Sequence, residues 1–122
     1  MLNYCLSNDE VSLAYRVRGT VRNPENYDKM EPLYTYFGGE ESLKSRCELV
    51  HVDLVDGDSV DKAIEGATYV LHSASPVGIS EPDDPDQMIR PAVEGTLSVM
   101  RAAKKHGVKR VVLTSSISAI ET

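Results

Sequence analysis

No stretch of this chain is apolar for anything near the length that crosses a bilayer, and its start has no apolar core of the secretory type. Membrane-spanning and secreted classes are therefore not expected. Cysteine is scarce: Cys5 and Cys47 stand far apart and form no Cys-x-x-Cys pair. Without a secretory signal they read as free thiols in a reducing, cytoplasmic compartment, not as a disulfide framework. Cationic excess is lacking too. The formal charge is −6 at pH 7, which argues against nucleic acid or an anionic membrane as the main partner. Cys47 and His51 can share one face of a strand, but no third ligand stands nearby, so no metal is expected. There is no internal repeat and no low-complexity tract.

What remains is an ordinary globular composition, 41% hydrophobic and 26% charged over 122 residues, enough for one domain at most. The organising stretch is Arg110-Val111-Val112-Leu113-Thr114-Ser115-Ser116. Its apolar core is too short for a helix and rich in β-branching, as suits a parallel strand covered on both faces. Three hydroxyl residues follow at once. They either cap a turn or face bound chemistry, since ligands of open α/β sheets lie beyond the carboxyl ends of the strands.

Met1–Leu6 reads as a short strand and Ser7–Glu10 as a helix start. Ala14–Arg22 alternates as a strand does, and Asn23-Pro24 stops it. A helix is expected from about Pro24, with Met30 and Leu33 inward, and Gly38-Gly39 breaks it. Ser42–Arg46 adds one turn. Cys47–Val52 is a second strand. Asp58 then caps a helix carrying Val60, Ala63 and Ile64 on one face, and Gly66 suits the left-handed position past its end. Thr68–His72 is a third strand and Ser73–Pro76 a loop. Asp84-Pro85-Asp86-Gln87 opens a long helix whose inward face is Met88, Ile89, Ala92, Val93, Leu97, Met100 and Ala103. Pro91 should kink or restart it, and Gly107 closes it. Strands alternating with helices imply a parallel sheet with right-handed crossovers and helices on both faces.

Four strand ends then carry the chemistry, and all four should lie on one edge of the sheet. Arg22 follows the first strand, with Lys29 on the next helix. Asp53 follows the second strand. Ser73, Ala74 and Ser75 follow the third, and Thr114, Ser115 and Ser116 the fourth. One cationic corner, one carboxylate and two hydroxyl-rich loops suit a dinucleotide crevice. Where an acid would bind the ribose diol stands Val21-Arg22, and a guanidinium favours a 2′-phosphate.

Val17-Arg18-Gly19-Thr20-Val21-Arg22-Asn23-Pro24 resembles the second strand of the extended short-chain dehydrogenase/reductases. More narrowly it is similar to the dihydroflavonol reductase and cinnamoyl-CoA reductase group. The resemblance continues through Glu48–Leu54, His72–Val77, Asp83–Thr96 and Lys109–Ser116, and covers about residues 16 to 120. It implies an α/β, doubly wound parallel sheet of Rossmann type that binds NADP(H) and reduces a carbonyl-type small molecule. By the same resemblance, Arg22 and Lys29 match the 2′-phosphate contacts, and Asp53 and Leu54 the adenine contacts. Ser73, Ala74 and Ser75, with Thr114 and Ser115, match loops along the cofactor, and Ser116 matches the catalytic serine.

Two departures stand beside these matches. The family's Gly-x-x-Gly-x-x-Gly turn, which seats the pyrophosphate on a helix N-terminus, has no counterpart here. None of Tyr4, Tyr15, Tyr27, Tyr34, Tyr36 or Tyr69 has Lys four residues later, so the family's Tyr-x-x-x-Lys pair is unmatched. Residues 1–122 therefore read as one partial cofactor-binding domain, lacking the family's first strand and everything after the fifth, with residues 1–13 in place of the usual start. Since that first strand lies mid-sheet in the order 3-2-1-4-5-6, strands 14–22 and 68–73 should each lack a neighbour, which invites self-association. Two other readings stay open: a non-catalytic module that binds a dinucleotide or docks to a partner, and an epimerase or dehydratase acting on a sugar nucleotide. The run Asp83–Thr96 and the missing acid at Val21 speak against the latter.

Overall fold

The computed structural model describes residues 15–75 and 84–119. The strand expected at Met1–Leu6, the helix start at Ser7–Glu10 and the Pro76–Asp83 part of the resemblance lie outside them. The chain divides into two compact units, one ending at Asp53 and one beginning at Leu54.

In the first unit, β1 (Val17–Val21) pairs in parallel with β2 (Cys47–His51), Val17 opposite Cys47 and Val21 opposite His51. One further bond, Val52 N–H to the Val21 carbonyl at 2.9 Å, extends the ladder. Period-two alternation sets the faces: Gly19 is buried, and Arg18 and Thr20 are exposed. Glu48 draws in both Arg16 and Arg18 at 3.3 Å. Such a surface pair contributes at most about 1 kcal/mol.

The crossover between these strands holds α1 (Tyr27–Tyr36) and α2 (Glu40–Arg46). The first helix begins three residues later than expected. Asn23 Oδ1 accepts the Glu25 N–H at 3.0 Å, and Asn26 Oδ1 accepts the Lys29 N–H at 3.1 Å. Two asparagine side chains thus hold a turn around Pro24 before the helix starts. Met30 and Tyr34 are its buried residues, and Leu33 packs half-buried beside them. Gly38 and Gly39, at φ +77° and +117°, turn the chain from α1 into α2 in a conformation that side chains resist. The second helix is a full seven residues, with Glu40 and Glu41 in its first turn and Lys44 and Arg46 in its last, as the helix dipole favours. Met30, Tyr34, Phe37, Leu43 and Cys47 form the core of this unit, Leu43 fully buried.

The second unit runs α3 (Gly57–Ile64), β3 (Tyr69–His72), α4 (Asp86–Lys105), β4 (Arg110–Leu113) and a 3₁₀ turn at Ile117–Ala119. β3 and β4 pair in parallel, Tyr69 opposite Arg110 and His72 opposite Leu113. The cap of α3 is Asp56, not Asp58: its carboxylate accepts the Asp58 N–H at 3.1 Å, which places Asp58 inside the first turn. Gly66 takes the left-handed φ of +74° expected past the end of this helix.

Helix α4 runs through Pro91 without a restart, and it departs from expectation in its buried face. Its buried residues are Gly95, Val99, Ala102 and Ala103, while Ile89, Val93, Leu97 and Met100 stay exposed. α4 packs against α3, which buries Val60 and Ile64. Of the four buried residues, Ala103 belongs to the expected inward face, and Gly95 packs against the Leu54 turn. Asp61 fastens the pair, accepting Lys105 Nζ at 2.7 Å and meeting His106 Nε2 at 3.1 Å.

The expectation of a fourth strand covered on both faces also fails. Val112 is 44% and Leu113 52% exposed, and Leu71, opposite Val112, is 48% exposed. The face that carries Leu71 and Val112 is about half exposed. Among the described residues β1 pairs only with β2, and β3 only with β4.

Candidate functional site

Parallel pairing brings strand ends together two by two. In the first unit Arg22 and Asp53 leave β1 and β2 at the same end of their sheet, since Val21 stands opposite His51. Arg22 lies exposed in the bend after β1, and Lys29 lies exposed in the first turn of α1. Neither side chain makes an ion pair with the described residues, unlike Arg16, Arg18 and Lys44 nearby. Glu25 and Asp28 share the turn, so the corner has no long-range positive field. A doubly charged phosphate there would be held by direct contact with the two cations and with the amide end of α1. Asp53 is half-buried.

In the second unit the carboxyl ends of β3 and β4 carry the two hydroxyl loops. The Thr114 N–H donates to the His72 carbonyl at 3.0 Å, so the ladder reaches the first hydroxyl residue. Ser73, Ala74, Ser75, Thr114, Ser115 and Ser116 are all exposed. The hydroxyls of Ser73, Ser75, Thr114 and Ser115 form no hydrogen bond with the described residues. Ser116 is different. Its carbonyl accepts the Ala119 N–H at 3.1 Å and starts the 3₁₀ turn. Leu54 is half-buried in a turn, against Gly95 of α4.

Two residues beside these were not picked out by the sequence reading. His72, the last residue of β3, is only 5% exposed, and its Nε2 is buried without a hydrogen-bond partner. Burial holds its pKa below the ordinary 6.5, which keeps the ring neutral. The signal was available: His72 falls in step with half-buried Val70, on the inward beat of β3. Gly95 is the other, a glycine deep in a helix where alanine is the better former.

Other groups fall outside this picture. Cys47 is a free thiol, and burial pushes its pKa up, which makes it unreactive. It is buried while His51 is exposed, and no cluster of three metal-ligating side chains stands among the described residues. Nor is any described helix long and apolar enough to cross a membrane. Two shallow grooves of about 480 Å³ occur, one beside Val55 and the start of α4, one on the open face of β3 and β4. No site residue named above lines either of them.

Comparison with known proteins places these residues in context. The model of the 3-beta hydroxysteroid dehydrogenase/isomerase family matches residues 37–122. Over 106 residues the chain is 46% identical to cinnamoyl-CoA reductase 1 of Petunia hybrida, covering 87% of this chain and 29% of that protein. Over 107 residues it is 42% identical to dihydroflavonol 4-reductase of Hordeum vulgare, with the same two shares. The chain thus spans under a third of the length of these curated relatives. Among solved structures, vestitone reductase from alfalfa (Medicago sativa) is 26% identical with a TM-score of 0.62, over 97% of this chain and 32% of that one. The Citrobacter sp. triphenylmethane reductase complexed with NADP(H) shares the fold at 23% identity and a TM-score of 0.56, over 86% of this chain and 30% of that one. The fold is accordingly a partial Rossmann-type α/β arrangement.

Proposed function

Because this chain belongs to the 3-beta hydroxysteroid dehydrogenase/isomerase family, we propose that it is part of an NADP-dependent oxidoreductase that reduces a carbonyl-type small molecule, as its reductase relatives' names suggest. Residues 1–122 act in this reading as one partial cofactor-binding domain of a cytoplasmic protein. The observation that carries it is the hydroxyl loops at the ends of β3 and β4: four hydroxyls exposed and free of hydrogen bonds to the described residues, in a chain 46% identical to a reductase.

Each residue has a role. Arg22 and Lys29 hold the 2′-phosphate through charge-assisted hydrogen bonds. Asp53 and Leu54 contact the adenine. Ser73, Ala74 and Ser75, with Thr114 and Ser115, follow the cofactor. NADPH, when bound, would supply the hydride. Ser116 donates its hydroxyl proton in a hydrogen bond to the substrate oxygen and steadies the developing alkoxide. The proton that completes the alcohol comes from a tyrosine in the resembling reductases, and no tyrosine here stands four residues before a lysine.

A second reading is a module that binds a dinucleotide without catalysis. Titration with NADPH and NADH tests both. NADPH should bind more tightly, and Arg22→Ala should remove about 1.5–3 kcal/mol of that preference, the worth of a hydrogen bond to a charged group. Equal affinity for the two cofactors, unchanged by Arg22→Ala, would end the NADP assignment.

A further inference from the structure

Gly95 sits in the middle of α4, a position where glycine costs helix stability relative to alanine. It is buried, and its φ is not in the left-handed region, so no backbone conformation calls for it. A Cβ there would stand 3.0 Å from Leu54 Cβ, 3.5 Å from the Leu54 carbonyl oxygen and 3.7 Å from Leu54 Cδ1. All three contacts belong to one residue. The nearest is a Cβ, which cannot swing away by changing rotamer and moves only with its own main chain.

That main chain has little room to yield. Two residues after Leu54, Asp56 caps α3 through the Asp58 N–H at 3.1 Å. A side chain at position 95 therefore displaces the Leu54–Val55 turn by a few tenths of an ångström or strains that cap.

We propose that Gly95 is a positioning residue: by lacking a side chain it sets where Leu54 sits, and through Leu54 it sets the adenine-contacting edge. The second half of this rests on the reading of Leu54 as an adenine contact. It assigns a specificity role to a residue of α4 that itself touches no cofactor.

The test is a cycle of four forms of the whole chain: the parent, Gly95→Ala, Leu54→Gly and the double variant. Urea midpoints come first. With Leu54 present, Gly95→Ala lowers the midpoint. With glycine at 54 the obstructing Cβ is gone, and the same change raises the midpoint because alanine is the better helix former. If Gly95→Ala does not fold, recovery of folding in the double variant supports the seat, and failure to recover overturns it. Adenosine 2′,5′-bisphosphate is then titrated into the parent and into Gly95→Ala. The dissociation constant rises about three- to tenfold, within the range of coupling for residues in contact. Gly57→Ala is the matched control, since its added Cβ meets only Ser98 Oγ at 3.9 Å, and it leaves binding unchanged. A raised midpoint in Gly95→Ala with Leu54 retained overturns the proposal, as does binding equal to the parent's. Failure of the parent to bind the bisphosphate overturns the dinucleotide reading instead, and the sign of the midpoint cycle alone then decides the seat.

Discussion

The main-chain carbonyl of His72 receives the Thr114 N–H at 3.0 Å, one step beyond the last paired residues of β3 and β4. One bond therefore ties the origin of the Ser73–Ser75 loop to the first hydroxyl of the Thr114–Ser116 loop. The residue that supplies the carbonyl also buries an imidazole whose Nε2 has no partner.

That imidazole makes stability depend on pH. Its folded pKa lies below the ordinary 6.5 because burial disfavours the charged ring. The unfolded chain therefore takes up the proton first. Stability is fully present above about 6.5 and is lost as pH falls below it. Urea midpoints measured from pH 8 to pH 5 should decline for the parent, and His72→Leu should flatten that decline. At pH 8 the variant should match or exceed the parent, because it removes an unsatisfied buried nitrogen worth about 1–3 kcal/mol. An unchanged slope in the variant would show that the ring does not titrate between the two states.

Asp61 gives a second, lower window. The hydrogen bond from Lys105, with that of His106 behind it, holds its carboxyl below the ordinary 3.8. Its contribution is present above that value and disappears as pH falls beneath it. The pair is solvent-accessible, so salt should weaken it. Asp61→Asn should lower the midpoint slightly at low ionic strength and hardly at all in molar salt. A loss of equal size in both would mean that Asp61 acts by packing and not by charge.

Residues 1–122 alone should show no measurable NADPH-dependent reduction of aldehydes, ketones or acyl thioesters. In the proposed reading Ser116 polarises a carbonyl, but no tyrosine in residues 1–122 stands four residues before a lysine to complete the proton transfer. Absorbance at the NADPH band reports turnover directly. Steady consumption by the purified chain, abolished by Ser116→Ala, would contradict this expectation.

The open face of β3 and β4 predicts association. Leu71 and Val112 stand opposite one another and exposed, and among the described residues β3 has a single hydrogen-bonded neighbour. Apolar surface next to an unpaired strand edge favours self-association. Sedimentation should detect oligomers whose fraction rises with concentration, and Leu71→Lys should reduce them. A monomer at all concentrations, with a single urea transition of slope at least about 1 kcal/mol/M, would refute the prediction.

Much of this arrangement was legible in advance, for identifiable reasons. β2 starts at Cys47 as read, and α4 ends at Lys105 as read, because β-branched alternation and terminal glycines act locally. Gly66 and Gly107 both take positive φ just past their helices. Arg22 and Asp53 leave one end of their sheet because parallel pairing follows from strand–helix alternation. What escaped the reading depends on partners distant in sequence. The buried side of α4 includes Ala103 as read, but takes Gly95, Val99 and Ala102 where periodicity selected bulkier residues, and Gly95 lies against Leu54, 41 residues away. The cap of α3 moved from Asp58 to Asp56 because two acids stand within reach of one helix start, and only the geometry selects between them. The cover expected over Val112 depends on neighbours that no local pattern encodes.

The registers of the two sheets also set a timetable for synthesis. Val17 meets Cys47, 30 residues on, whereas Tyr69 meets Arg110 only after 41. At translation rates of about 5–20 residues per second, β3 spends roughly 2–8 s outside the ribosome before its partner exists. During that interval Tyr69 and Leu71 are an apolar strand with neither edge paired. A nascent chain stalled short of Arg110 should therefore recruit chaperone at residues 69–72. One stalled far enough past Leu113 for β4 to have emerged should release it, which ribosome-bound crosslinking would read.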